Sequence, residues 1–330
     1  QQVGERPEGH SVLQIMKSLV SEGVAKLVIV TDQPEKYSGV ALEPGITVHH
    51  RDELDRVQRE MREVKGCSAI LYDQTCATEK RRRRKRGKLA TPAKTVVINE
   101  LVCEGCGDCS VQSNCLSVEP VETEFGRKRR INQNTCNKDF SCVKGFCPSF
   151  VTIEGGQLKK PKKEKKGSLD GLAALPEPPL PLAEQAFGIV VAGVGGTGVI
   201  TIGQLLGMAA HLEGKGVSVL DMAGLAQKGG AVFSHVQIAP RPGDLYATRI
   251  ATGEADLLIG SDLVVSASHE ALSRLRRTLT RAVINDDVSP TSDFLRDPDW
   301  SVPADTLARS ILEAAGEQDI EFLPATRIAE

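Results

Sequence analysis

Seven of the nine cysteines in this chain fall between Leu101 and Phe150, a stretch with few long apolar runs. A segment this short buries too little apolar surface to hold itself together unaided, so its core must come from what the cysteines bind. Their spacing is Cys103-x2-Cys106-x2-Cys109, then Cys115, then Cys136, Cys142 and Cys147-Pro148. Disulfides need an oxidising compartment, and the polar opening Gln1–His10 has no apolar core of the secretory kind. Zinc ribbons use two separated Cys-x2-Cys pairs, whereas here three cysteines stand at successive x2 intervals. That triple suits an iron–sulfur cube. In two-cluster ferredoxins the last Cys of each run, followed by Pro, crosses to the other cluster.

Counting Asp139 completes the second run: Cys136-x2-Asp139-x2-Cys142 repeats the x2/x2 spacing. The reading is a swapped pair. Cys103, Cys106, Cys109 and Cys147 hold one [4Fe–4S] cluster, and Cys115, Cys136 and Cys142 a second. Asp139 is either a fourth, harder ligand to that second cluster or simply the cap of a turn. Cys115 departs from the pattern, with an x5 spacing and no following Pro. Cys67 and Cys76 stand outside the framework.

The flanking sequence reads as α/β. Lys26–Val30, Cys67–Tyr72 and Thr95–Ile98 are short strand candidates. Asp52–Val64 is a charged amphipathic helix, with Leu54, Val57, Met61 and Val64 at spacings of three and four. Residues 155–186 form a Lys-rich, then Pro-rich, linker. A second α/β unit follows, with strands expected at Ile189–Ala192, Val217–Leu220, Val232–Ile238, Asp256–Ile259 and Ala282–Asn285. Its first helix should run from about Gly198 to Leu212, and a mostly helical tail closes the chain.

Within that unit, strand, Gly193-x-Gly195-Gly196-x-Gly198 and helix succeed one another. This arrangement lets an anionic group approach a helix N-terminus. Asp221, after the next strand, stands where a ribose-binding carboxylate would be expected. Gln227, Lys228, Gly229 and Gly230 could present a cation and bare amides to the same ligand. These features leave a nicotinamide- or flavin-linked iron–sulfur oxidoreductase open as an alternative. Gly188–Ala210 lacks any charge, but its seven glycines in a strand–loop–helix pattern argue against a membrane span.

Charge is segregated. Lys80–Lys88 carries eight basic residues and Lys159–Lys166 six, while the chain as a whole is at −2. No aromatic side chain accompanies the first run, so nucleic acid is not the expected partner. A solvated helix face, or docking to an acidic protein, fits better. His235 and His269 have no ligand spacing and read as structural.

Taken together, the order of parts resembles the indolepyruvate ferredoxin oxidoreductases in their long, single-chain bacterial form. The resemblance is carried by Cys103-Glu-Gly-Cys-Gly-Asp-Cys109, Tyr72-Asp-Gln-Thr-Cys76, Glu79–Gly87, Cys136-Asn-Lys-Asp-Phe-Ser-Cys142 and the Gly-Val-Gly-Gly-Thr-Gly loop. It implies an α/β multidomain chain, here a C-terminal-half fragment. Residues 1–98 would end a thiamine diphosphate-binding domain and 99–154 would be a ferredoxin-type module. Residues 187–290 would be a Rossmann-like gamma-type domain and 291–330 a truncated tail. It further implies oxidative decarboxylation of arylpyruvates to acyl-CoA in the cytoplasm, by a homo-oligomer, with ferredoxin as electron acceptor. Thiamine diphosphate and Mg2+ would serve the full-length protein and CoA would be co-substrate. No Gly-Asp-Gly…Asn thiamine motif is present, so the fragment alone should bind clusters without turning over.

Overall fold

The computed structural model describes residues 10–156, 185–224, 229–288, 297, 299–317 and 319–329. Contacts divide the chain into two units, Gln1–Thr91 and Pro92–Glu330. The expected linker falls largely outside the described residues, as do Gln227 and Lys228.

In the first unit, α1 (Val12–Ser21) is opened by a capping box between Ser11 and Gln14. The chain continues through β1 (Lys26–Thr31), β2 (Thr47–His50), α2 (Leu54–Arg62) and β3 (Ser68–Asp73). All three strands are parallel, in the order β2-β1-β3. The central strand is buried on both faces, which is why Leu27-Val-Ile-Val30 is apolar without alternation. Val57 and Met61 of α2 cover Val28 and Val30, as their spacing predicts. The basic run forms the helix α3 (Ala77–Lys85). Part of its charge is met locally, with Lys80 3.2 Å from Asp32 and Arg83 3.3 Å from Glu79.

The second unit begins with β4 (Lys94–Ile98), α4 (Asp108–Ser113), β5 (Val118–Thr123), β6 (Gly126–Ile131) and β7 (Phe150–Glu154). The expected boundary at residue 98 needs correction. β4 pairs antiparallel with β7, and Ile98 packs with Cys103, Cys109 and Val118. Residues 94–98 therefore belong with the cysteines.

Further on lie β8 (Phe187–Val194), α5 (Val199–Leu212), β9 (Gly216–Ala223), β10 (Ala231–Ala239), β11 (Leu257–Gly260), α6 (Leu263–Ser266), α7 (His269–Leu272), β12 (Arg281–Asn285), α8 (Ala304–Ala315), β13 (Ile320–Leu323) and α9 (Ala325–Ala329). The sheet order is β13-β12-β11-β8-β10-β9. β8, β11, β12 and β13 are parallel, and β10 runs against both β8 and β9. Along β8, Ile189 and Val191 face α5, while Val190 and Ala192 face α6 and α8. The expected tail is not separate: β13 extends the sheet, and Ile311 and Ala315 of α8 enter its core. No helix among the described residues is long and apolar enough to cross a membrane.

Two positions lend themselves to measurement. A Cβ at Gly203 would fall inside contact distance of Ser234, so α5 lies with its backbone almost on β10. Gly203→Ala should cost about 1–3 kcal/mol through overpacking, read as a lowered unfolding midpoint in denaturant. His235 is fully buried on β10, and its Nδ1 accepts from the Ile250 amide at 3.3 Å. Burial, then Arg274 and Arg249, push its pKa below the ordinary value, against the weaker pull of Glu270. The unfolded chain therefore takes up this proton first as pH falls. Stability from His235 is full above about pH 6.5 and drains away below it. Unfolding free energies at pH 7 and pH 5 should differ less in His235→Asn than in the parent.

Candidate metal centre

The cysteine module is a bracket closed by β4 and β7. Its two ends are tied by Asn99, whose amide donates to the Ser149 carbonyl at 2.8 Å, and its carbonyl accepts from Cys103 N at 3.0 Å. The first cysteine loop turns through left-handed glycines, with φ +75° at Gly105 and +80° at Gly107. A Cβ on Gly105 would collide with the Arg127 carbonyl of the β5–β6 hairpin, so only glycine fits between Cys103 and Cys106. Cys109 is buried in the first turn of α4, Cys103 is buried beside Ile98 and Val118, and Cys106 is exposed.

The second loop starts at Asn132, whose carbonyl accepts from Cys136 N at 3.0 Å. It bends at Lys138 and Phe140, both with positive φ, on either side of Asp139. Asp139 Oδ1 accepts from Ser141 N at 3.2 Å and from its hydroxyl at 2.9 Å. One carboxylate oxygen thus caps the turn.

Cys115, Cys136, Cys142 and Asp139 line one narrow recess of about 20 Å³, walled by Val96, Val118, Ile131 and Phe140. Lys138 Nζ reaches over to Thr95 at 3.2 Å and Gln133 to the Val96 carbonyl at 2.8 Å, so β4 forms part of this wall. These are the four residues assigned to the second set. For the first set, Gly145, two residues before Cys147, stands against Asp108 and Gln112 of α4. This brings the Cys147 segment back to the Cys103–Cys109 loop. Among the described residues no three His, Cys, Asp or Glu side chains converge as on a single ion. A four-iron cube holds its thiolates farther apart than one ion does.

The sulfur environments have two opposing features. Backbone amides two residues on donate to sulfur at three places, each at 3.4 Å: Gly105 to Cys103, Ser117 to Cys115 and Lys138 to Cys136. Such donors favour thiolate. Burial acts the other way, raising the pKa of Cys109 and Cys136 and pushing Cys142 up to about 11, with neighbouring thiols adding to the rise. A bound metal reverses that balance, since a coordinating thiol deprotonates outright. Seven soft sulfur donors, amides aimed at sulfur and a sulfur-lined recess fit an iron–sulfur cluster.

Arg129 was not singled out by the sequence, yet it is among the largest fully buried side chains. Its signal was the alternation of Arg127, Arg129 and Ile131 on one face of β6.

In the glycine-rich loop, Gly193 is wedged against Thr197, Ser261 and Val199. Gly195 N donates to the Gly230 carbonyl at 2.8 Å, and Gly198 caps α5 with φ +92°. Gly196 is also left-handed, at φ +109°. Gly229 lies against Leu116, next to Cys115, so this loop region meets the cysteine module. The expectation for Asp221 does not hold. Antiparallel β10 stands between β8 and β9, leaving β9 about 10 Å from β8. Asp221 pairs with Ser234, which pairs with Val191, so it sits level with the middle of β8 rather than with the loop. The dinucleotide geometry, with the acid on the adjacent parallel strand, is absent.

Residues 188–330 match the family described as pyruvate ferredoxin/flavodoxin oxidoreductase. The chain is similar to the indolepyruvate oxidoreductase subunit IorB of Methanothermobacter thermautotrophicus, 29% identical over 39% of this chain and 63% of that protein. It is 42% identical to the Archaeoglobus fulgidus subunit of the same name, over 22% of this chain and 33% of that one. The chain spans less than two thirds of the length of either relative. Among solved structures it is similar to the pyruvate oxidoreductase subunit PORC of Thermotoga maritima, at 20% identity and a TM-score of 0.29, covering 44% of this chain and 66% of that one. A 2-oxoglutarate:ferredoxin oxidoreductase from Magnetococcus marinus is 17% identical, with a TM-score of 0.30, over 44% and 21% of the two chains. Residues 188–330 thus resemble the pyruvate ferredoxin/flavodoxin oxidoreductase family, in a chain similar to indolepyruvate oxidoreductase subunits.

Proposed function

We propose that this chain is the electron-transfer and gamma-type part of a cytoplasmic, CoA-acylating 2-oxoacid:ferredoxin oxidoreductase acting on arylpyruvates. The observation that carries the reading is the folding of seven cysteines into one module, with Cys115, Cys136 and Cys142 around a single recess. The family match of residues 188–330 supports the reaction class, and the similarity to indolepyruvate oxidoreductase subunits supports an indolepyruvate-type substrate.

In this reading Cys103, Cys106, Cys109 and Cys147 hold one cluster. Cys115, Cys136 and Cys142 hold the second, with Asp139 as fourth ligand through the carboxylate oxygen left by its turn. When bound, such clusters supply one-electron redox chemistry, which lets a two-electron oxidation feed a one-electron carrier. The protein's own part is to hold the sulfurs. Amides of Gly105, Ser117 and Lys138 steady three of them, and Val96, Val118 and Ile131 keep water from the recess. The loop 193–198 with Gly229 and Gly230 is proposed to bind an anionic portion of a substrate such as CoA. Acidic ferredoxin is the proposed acceptor, and α3 a basic face suited to it.

Anaerobically purified protein should contain about eight irons and matching acid-labile sulfide, and reduction should give an electron paramagnetic resonance spectrum of two interacting clusters. Zinc without sulfide would overturn the reading. Asp139→Cys should suppress any three-iron signal formed on oxidation, while Asp139→Ala should increase it. Identical oxidation behaviour in both variants would return Asp139 to turn capping alone.

A further inference from the structure

We propose that Arg129 is the fixed positive charge set against the thiolates of the Cys103–Cys109–Cys147 cluster, and that it raises that cluster's reduction potential. The inference rests on the iron–sulfur reading above. Arg129 lies in the middle of β6 and is 1% exposed. Strand alternation puts it on the same face as Arg127 and Ile131. Ile131 packs against the core formed by Ile98, Cys103, Cys109 and Val118. The Arg127 carbonyl touches Gly105, between Cys103 and Cys106. The hairpin therefore borders the first cysteine loop, with Arg129 on the face that carries Ile131 into this core. Its positive charge already acts on Cys109, opposing the effect of burial there.

A guanidinium cannot be discharged in a protein, and a buried charge interacts far more strongly than one in water. Four thiolates around a four-iron core leave an excess of negative charge, and each added electron enlarges it. A nearby fixed cation stabilises the reduced form more than the oxidised one.

The test is a potentiometric titration of the full chain, purified anaerobically and followed by electron paramagnetic resonance, comparing the parent with Arg129→Gln and Arg129→Lys. In Arg129→Gln the reduced-to-oxidised ratio of one cluster at fixed potential should fall about tenfold, equivalent to about 59 mV for a one-electron couple. The second cluster should move far less. Arg129→Lys, which keeps the charge and loses the fork, should restore most of the shift. Arg129→Gln with full iron and sulfide and an unchanged potential would overturn the proposal. If Arg129→Gln does not load, Arg129→Lys decides: a loaded variant with near-parental potential supports the role of charge, and an unloaded one shows that shape alone is needed and overturns it. A parent protein without clusters would instead overturn the iron–sulfur reading.

Discussion

Four of the eight side chains at the centre of the cysteine module end in sulfur: Cys103, Cys109, Cys115 and Cys142, beside Ile98, Val118, Ile131 and Phe150. As free thiols they behave as small hydrophobes, and burial raises the pKa of Cys109 and Cys142. That gives a small core for a segment with two two-stranded ribbons and one short helix, each too small to be stable by itself. Metal ligation would replace weak packing with bonds between segments far apart in sequence. The rest of the module follows from that need. Gly105 lets the loop close under the hairpin, Asn99 ties its ends, and the Lys138–Phe140 bend presents the second set.

The larger domain is built on a different principle. Its central strand is apolar on both faces because helices cover both, and Gly203 and Gly207 bring α5 down onto β10 and β9. This layer carries the 193–198 loop to the carboxyl end of β8. Gly229 there meets Leu116 beside Cys115, joining the two parts of the second unit at the point where a cluster and a substrate loop would need to be neighbours.

Much of this was legible in the residues, and what was hidden shares one cause. The strand at Ile189, the helix after Gly198 and the pattern Leu54, Val57, Met61 are local periodicities, so they could be read directly. Cysteine spacing is also local, and Cys115, Cys136, Asp139 and Cys142, grouped by it, lie along one recess. Pairing between distant segments leaves no such mark. β4 could not be assigned to the module without knowing that Phe150–Glu154 lies beside it. β13 looked like part of a helical tail until it was seen against β12. Asp221 failed because an antiparallel strand inserts between the two that spacing suggests are neighbours. Arg129 was concealed by composition, since Gly126-Arg-Lys-Arg-Arg-Ile131 has the look of surface charge.

On the proposed reading, metal ligation, more than side-chain packing, holds residues 92–156 together. Amide hydrogen exchange on the anaerobic protein, before and after removal of iron by a chelator, tests it most directly. Amides of 99–154 should lose protection while those of β8, β10 and β11 keep theirs. Unchanged protection across 99–154 after complete iron loss would contradict it.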